Sequence, residues 1–373
     1  VYVKINPDNP FTTYMSSYQK GLMKLNGQDP FVLYNETNSP MDIPNGNEAL
    51  GIRVYGSDFD REENLWYVQS RIDRGLIKLT PGGQFQTVDI SSIINAEDEL
   101  ALSKLAISRE GYVFFGAVSN GLVGYNPTDN LFNKIGEELG NGNLPSTDIK
   151  ALAFDNQNRL WIGTRKGLRV LYNARSFFED GADTDAQPII IVEDGVPQEL
   201  LFLQSITDIA VDGSNNKWIS TATSGVFYLS SNGQETLLRF TADNSPLPSD
   251  NVLDIAIDNM SGKVYFATND GLVAYDGRST APRDDLESVY AFPNPVRPGF
   301  SGSVTIDGLT AKANVKITDI TGNLVYETTS EGGSVQWDTT AFGEYKVASG
   351  VYLVLITSDD NLLTKVAKIM VVR

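Results

Sequence analysis

The chain has 373 residues, 41% apolar and 20% charged, with 33 glycines, a composition that excludes wholesale disorder. It contains neither cysteine nor histidine, which excludes disulfides, thiolate or imidazole metal sites and Ser-His-Asp or Cys-His catalysis, and leaves carboxylates, Tyr, Lys, Arg and oxygen-bound calcium. A net charge of −18 argues against nucleic acid or an anionic membrane as a partner of the bulk field, and no apolar run approaches the roughly 18 residues of a membrane helix.

In chain order, one pattern is written six times. It consists of an aromatic-centred strand, a polar turn, and a Gly-Leu or Gly-Val step opening a second strand. The copies lie at residues 13–25 (a weaker one), 65–79, 113–126, 159–173, 217–229 and 264–276. Their anchors Tyr14, Trp66, Phe114, Trp161, Trp218 and Tyr265 are 52, 48, 47, 57 and 47 residues apart, and Gly21, Gly75, Gly121, Gly167, Gly225 and Gly271 keep step with them. Self-similarity at a fixed period means one supersecondary unit stacked repeatedly.

Upstream of the anchor lies an alternating apolar strand, as at 149–155 (IKALAFD), 206–212 (ITDIAVD) and 252–258 (VLDIAID), which reads as a half-buried strand leading into a hairpin. A fourth strand is expected at 187–192 and 235–240. Four antiparallel strands in a repeat of about 40 to 50 residues describe a β-propeller blade, with Trp66, Trp161 and Trp218 expected in the core. Neither an initiator Met nor a signal peptide stands at Val1, so an N-terminal portion is expected before it. A seventh blade from that portion, a ring of six, and an open ring all fit.

The polar turns between anchor strand and Gly-Leu strand should share one face. Their candidate ligand-binding residues are Tyr18, Arg71, Arg74, Asn120, Arg165, Lys166 and Asn269, although most turn residues are simply solvated. Residues 276–288 change to Gly, Arg, Ser, Pro and Asp and read as a linker. Six short strands follow, which predicts a small β-sandwich of immunoglobulin-like type. The fold expected is therefore all-β: a propeller over 1–277, a linker over 278–288 and a sandwich over 289–373. From Val289 onward seven Lys/Arg stand against eight Asp/Glu, whereas the preceding part carries 22 against 39. The acidity belongs to the propeller.

Motifs with chemistry are few. The turns 155–158, 212–216 and 258–262 offer oxygen ligands at calcium-like spacing, but none has the distal bidentate Glu, and hairpin closure explains them better. No phosphate-cradling loop is present. A glycosidase carboxylate pair is chemically allowed, yet nothing selects two among 47 acids.

Residues 160–172, with the preceding Leu-Pro-Ser turn, resemble the regulator-type propeller repeats of periplasmic sensors and surface proteins of Bacteroidetes. The tail is more specific. Residues 289–298 (VYAFPNPVRP), 315–325 (VKITDITGNLV) and 348–354 (ASGVYLV), with the Lys-rich closing strand, resemble the C-terminal sorting domain of the type IX secretion system. The family motif falls on Pro293, Asn294, Pro295, Asp319, Gly322, Gly350 and Tyr352.

The resemblance implies a non-enzymatic surface protein without cofactor or metal, a partner of outer-membrane secretion and attachment proteins, with a sandwich that presents or binds anionic lipopolysaccharide. If such a glycan docks, the acidic propeller would repel it, which directs attention to Lys312, Lys316, Lys346, Lys365 and Lys368. The alternatives are the sensor portion of a hybrid two-component regulator, and a polysaccharide-degrading propeller enzyme using paired carboxylates.

Overall fold

The computed structural model describes residues 2–96, 99, 101–193 and 195–373. Val1, the first residue of the expected propeller region, lies outside them. The described residues contain no α-helix, only two short 3-10 turns at Pro44–Gly46 and Ala174–Phe178, and no helix is long and apolar enough to cross a membrane. The chain divides into two compact units: Val1–Ile209 with Ser220–Ser224, and Ala210–Ile219 with Gly225–Arg373.

Every copy of the repeat forms an antiparallel sheet whose strands are neighbours in sequence order. The first three sheets have four strands each; the third runs Leu102–Ile107, Val113–Ala117, Gly121–Asn126 and Leu131–Ile135. The fourth consists of Ile149–Phe154, Leu160–Thr164 and Gly167–Leu171, the fifth of Ile206–Val211, Lys217–Thr221, Val226–Leu229 and Thr236–Phe240, and the sixth of Val252–Asp258, Lys263–Thr268 and Gly271–Tyr275.

The fourth strand expected at 187–192 is reduced to one residue. Gln187 bridges to Val170, and Ile190–Glu193 instead forms a hairpin with Val196–Glu199.

In the first unit the opening strands of successive sheets lie side by side, Val3–Ile5 by Val54–Phe59, that strand by Leu102–Ile107, and that by Ile149–Phe154, as the inner strands of propeller blades do. This close approach depends on a small residue in the second strand. A Cβ on Gly116 would sit 2.6 Å from Ile149 Cβ, and one on Gly163 would sit 2.5 Å from Ile206 Cγ2. With sheets packed on both faces, the anchor strands Val113–Ala117 and Leu160–Thr164 are buried along their whole length. Trp66 and Trp161 lie in these packed layers, 3% and 1% exposed.

In the second unit the last 85 residues build two larger sheets and a two-stranded pair, Thr340–Ala341 with Tyr345–Lys346. One runs Tyr290–Phe292, Val304–Asp307, Ser334–Trp337; the other runs Leu324–Thr329, Asn314–Thr318, Gly350–Thr357, Thr364–Val371. Between them lies one core around Trp337, with Val304, Ile306, Val315, Ile317, Val354, Ile356 and Ile369 all at most 1% exposed. The stretch that reads as a linker is packed: Ser279 and Thr280 are buried, Thr280 carbonyl accepts Gly333 N–H at 2.8 Å, and Leu286 joins the sandwich core. Gly213 and Gly332 permit this contact. A Cβ on Gly213 would meet Thr280 O, and one on Gly332 would meet Gly213 O.

Candidate binding surfaces

Where an Asp opens the hairpin turn, it organises the residues around it. In the fourth sheet Asp155 Oδ1 accepts the backbone N–H groups of Gln157 and Arg159, while Oδ2 accepts Arg159 Nε at 2.7 Å and the Trp161 indole N–H at 3.0 Å. In the second sheet Asp60 does the same for Glu62, Asn64 and Trp66, whose indole donates at 2.8 Å. The carboxylates in the calcium-like turns thus serve hairpin N–H donors. Among the described residues no group of three or more carboxylates is placed to hold a metal ion.

The turn candidates are dispersed over the repeats. Tyr18 packs edge-on against Tyr55, ring centroids 6.1 Å apart, with the Arg53 guanidinium 4.7 Å from its ring. Arg71 adopts a left-handed backbone, φ 67°, and Arg74 is exposed. Asn120 donates to Glu99 Oε2 at 3.0 Å and accepts from Lys134 Nζ at 2.9 Å. Arg165, Lys166 and, in the second unit, Asn269 are exposed turn residues. No hydrogen bond, ion pair or ring contact joins any two of these seven. Glu99, a carboxylate 1% exposed that also accepts Ser119 N–H at 3.0 Å, had no signal in the sequence beyond its place in an acidic run.

A second charged group of the first unit lies on the opening strands. Lys104 Nζ pairs with Asp208 at 2.8 Å and lies 5.3 Å from the Tyr2 ring centroid, and Lys4 pairs with Asp58 at 2.6 Å. Gly56 makes room for Lys104, whose Cα a Cβ would approach to 2.5 Å. Sequence reasoning missed this cluster because the pairing residues stand in different repeats.

In the sandwich the motif residues hold the fold. Asn294 donates to Lys368 O at 2.7 Å and accepts Met370 N–H at 3.0 Å, so its amide pins the segment of Pro293 and Pro295 to the last strand. Asp319 closes its hairpin by accepting from Thr321 and Asn323, which holds its carboxyl well below the usual carboxylate range, chiefly through the Thr321 hydroxyl and then the Asn323 amide. Gly322 takes φ 91° in that turn, where a Cβ would be strained. Tyr352, two residues after Gly350, packs on Trp337 with centroids 5.5 Å apart and donates to Ala348 O.

The five lysines divide. Lys316 and Lys368 lie on one exposed sheet face with Leu355, Val366 and Met370, and Lys316 pairs with Glu327 at 3.3 Å. Lys365 donates to Glu287 O, Lys346 to Asp338 O, and Lys312 sits in a turn at φ 55°.

Comparison with known proteins agrees with this two-part architecture. Residues 290–372 match the secretion system C-terminal sorting domain, and residues 143–166 match the two component regulator propeller. No curated protein matches the sequence. Among solved structures, PorZ of Porphyromonas gingivalis, described as an essential bacterial surface component of the type IX secretion system, aligns over 100% of this chain and 52% of its own, with 26% identity and a TM-score of 0.69. The extracellular domain of a hybrid two-component system of B. thetaiotaomicron aligns over 99% of this chain and 49% of its own, with 15% identity and a TM-score of 0.53, which shows a shared fold. The chain spans about half the length of either structure. The chain is thus similar to PorZ over its whole length, with a regulator-propeller match followed by a C-terminal sorting-domain match.

Proposed function

We propose that the chain is an exported, non-enzymatic component of type IX secretion and attachment machinery, held at the outer-membrane surface. In this reading residues 1–277 are a scaffold for outer-membrane secretion proteins, 278–288 the connection, and 289–373 the sorting-type module. The observation that carries the reading is that likeness to PorZ runs over the entire chain while the sorting-domain match falls at its C-terminal end.

The sandwich is also proposed to engage anionic lipopolysaccharide. Support comes from its near-neutral charge beside an acidic propeller, and from the exposed face where Lys316 and Lys368 flank Leu355, Val366 and Met370. Such a face offers cations to phosphate and apolar side chains to acyl groups.

The test is co-purification of the tagged chain from detergent-solubilised outer membranes of a bacterium with a type IX system. Secretion and attachment proteins of that system should co-elute, and their absence would refute the assignment. In a separate assay, Lys316→Glu with Lys368→Glu should abolish capture of anionic lipopolysaccharide; undiminished capture would remove the glycan role alone.

A further inference from the structure

The fifth sheet departs from the clasp that the second and fourth sheets keep. In those two, the hairpin Asp accepts the indole N–H of its Trp; Lys78 stands opposite Trp66 and Val170 opposite Trp161. In the fifth, Tyr228 stacks on Trp218, centroids 4.1 Å apart at 18°, and its hydroxyl donates to Asp212 Oδ2 at 2.7 Å. Asp212 Oδ1 is taken by the N–H groups of Ser214 and Asn216. Trp218 is 2% exposed, and its indole N–H has no acceptor among the described residues. The donor is not sealed among protein atoms but remains accessible.

Trp218 lines a cavity of about 470 Å³ within the second unit. Tyr275 forms part of the wall, its ring centroid 5.6 Å from that of Trp218. Asp276 makes no hydrogen bond or ion pair among the described residues, Arg278 commits only Nη1, to Ser303 O at 3.2 Å, and the side-chain amide of Gln336 is unengaged. The cavity thus brings uncommitted donors and acceptors together with aromatic surface, in a volume typical of small-molecule sites.

We propose that this cavity binds a saccharide residue, an inference independent of the secretion assignment. The chemistry selects the class. A phosphate or carboxylate would find Trp218 and Arg278 but face Asp212 and Asp276. A cation would find the carboxylates but leave the indole N–H unpaired. A hydroxyl both donates and accepts, so a polyol satisfies Trp218, Arg278, Asp276 and Gln336 together, and its C–H face suits an aromatic wall.

The experiment titrates the whole chain with the methyl glycosides of glucose, galactose, mannose and N-acetylglucosamine, with glycerol phosphate as the anionic probe. The readouts are saturation-transfer NMR of the ligand and the indole ¹H–¹⁵N signals of the protein. At least one glycoside should bind in the millimolar range and move the Trp218 signal. Trp218→Phe, which keeps a ring and removes the donor, should weaken binding by roughly tenfold, the worth of one hydrogen bond. Asp276→Ala, on the cavity wall and free of structural bonds, should weaken it as well. The proposal is overturned if no glycoside binds at its solubility limit, if both variants bind as the parent does, or if glycerol phosphate binds more tightly than every glycoside.

Discussion

The repeat sheets and the terminal sandwich are both all-β, yet they reveal their working residues in different ways. Each repeat sheet has sister copies in the same chain, so an ordinary residue can be told from an exceptional one by position. Leu122 and Leu272 both follow the repeat glycine, but the first faces Ile135 across a paired edge and is 0% exposed, while the second is 69% exposed in a sheet of three strands. Trp161 and Trp218 diverge in the same way, one clasped by Asp155 and the other facing a cavity. The sandwich has no internal copy. Asn294, Asp319 and Tyr352 acquire meaning there only from their bonds and from the family match.

The largest test of this comparison is a pair of charge insertions. Leu122→Glu buries an uncompensated carboxylate and should cost about 4 kcal/mol or more. Leu272→Glu should stay within about 0.5 kcal/mol, as exposed substitutions do. Equal losses in denaturant melts would mean that the open edge is not open.

Next in size is Trp337→Ala, which empties the centre of the sandwich core and should cost about 4 kcal/mol by chemical denaturation. Asp155→Ala strands the buried Trp161 donor and a guanidinium whose side chain is 14% exposed, and should cost about 3 kcal/mol. If Asp155→Ala proved as mild as a surface change, the clasp would carry no weight in the fold.

The smallest effect concerns pH. Because the Asp319 carboxyl titrates below its ordinary value, the hairpin contribution is present above the unfolded pKa and is lost as pH falls through the folded one. A carboxyl ¹³C titration should place its midpoint clearly below that of a free Asp, and an ordinary midpoint would contradict the hairpin geometry.

Much of this was legible in the residues. The period exposed six sheets, and alternation with Gly-rich turns placed the sandwich strands within a residue or two, since both signals are local. What required coordinates was non-local. The union of Lys104 with Asp208 spans 104 residues. Burial of Ser279 and Thr280 depends on two turns far along the chain, each with a glycine at the contact. The lysines divide between faces because Lys316 and Lys368 point to the outer side of their sheet while Lys365 turns to Glu287. Tyr228 reads as an ordinary member of the pattern, since Tyr125, Tyr172 and Tyr275 stand near the end of the same strand in other copies, and only the reach of its hydroxyl to Asp212 sets it apart.

The central claim is that a departure from the repeat leaves Trp218 with a free donor at a cavity, and hydrogen exchange of the four indole N–H groups tests it most directly. Trp66, Trp161 and Trp337, which donate to Asp60, Asp155 and Thr340 O, should be protected, and the signal that disappears in Trp218→Phe should exchange fastest. Equal protection of all four would show that Trp218 has an acceptor after all, and the case for the cavity would fall with it.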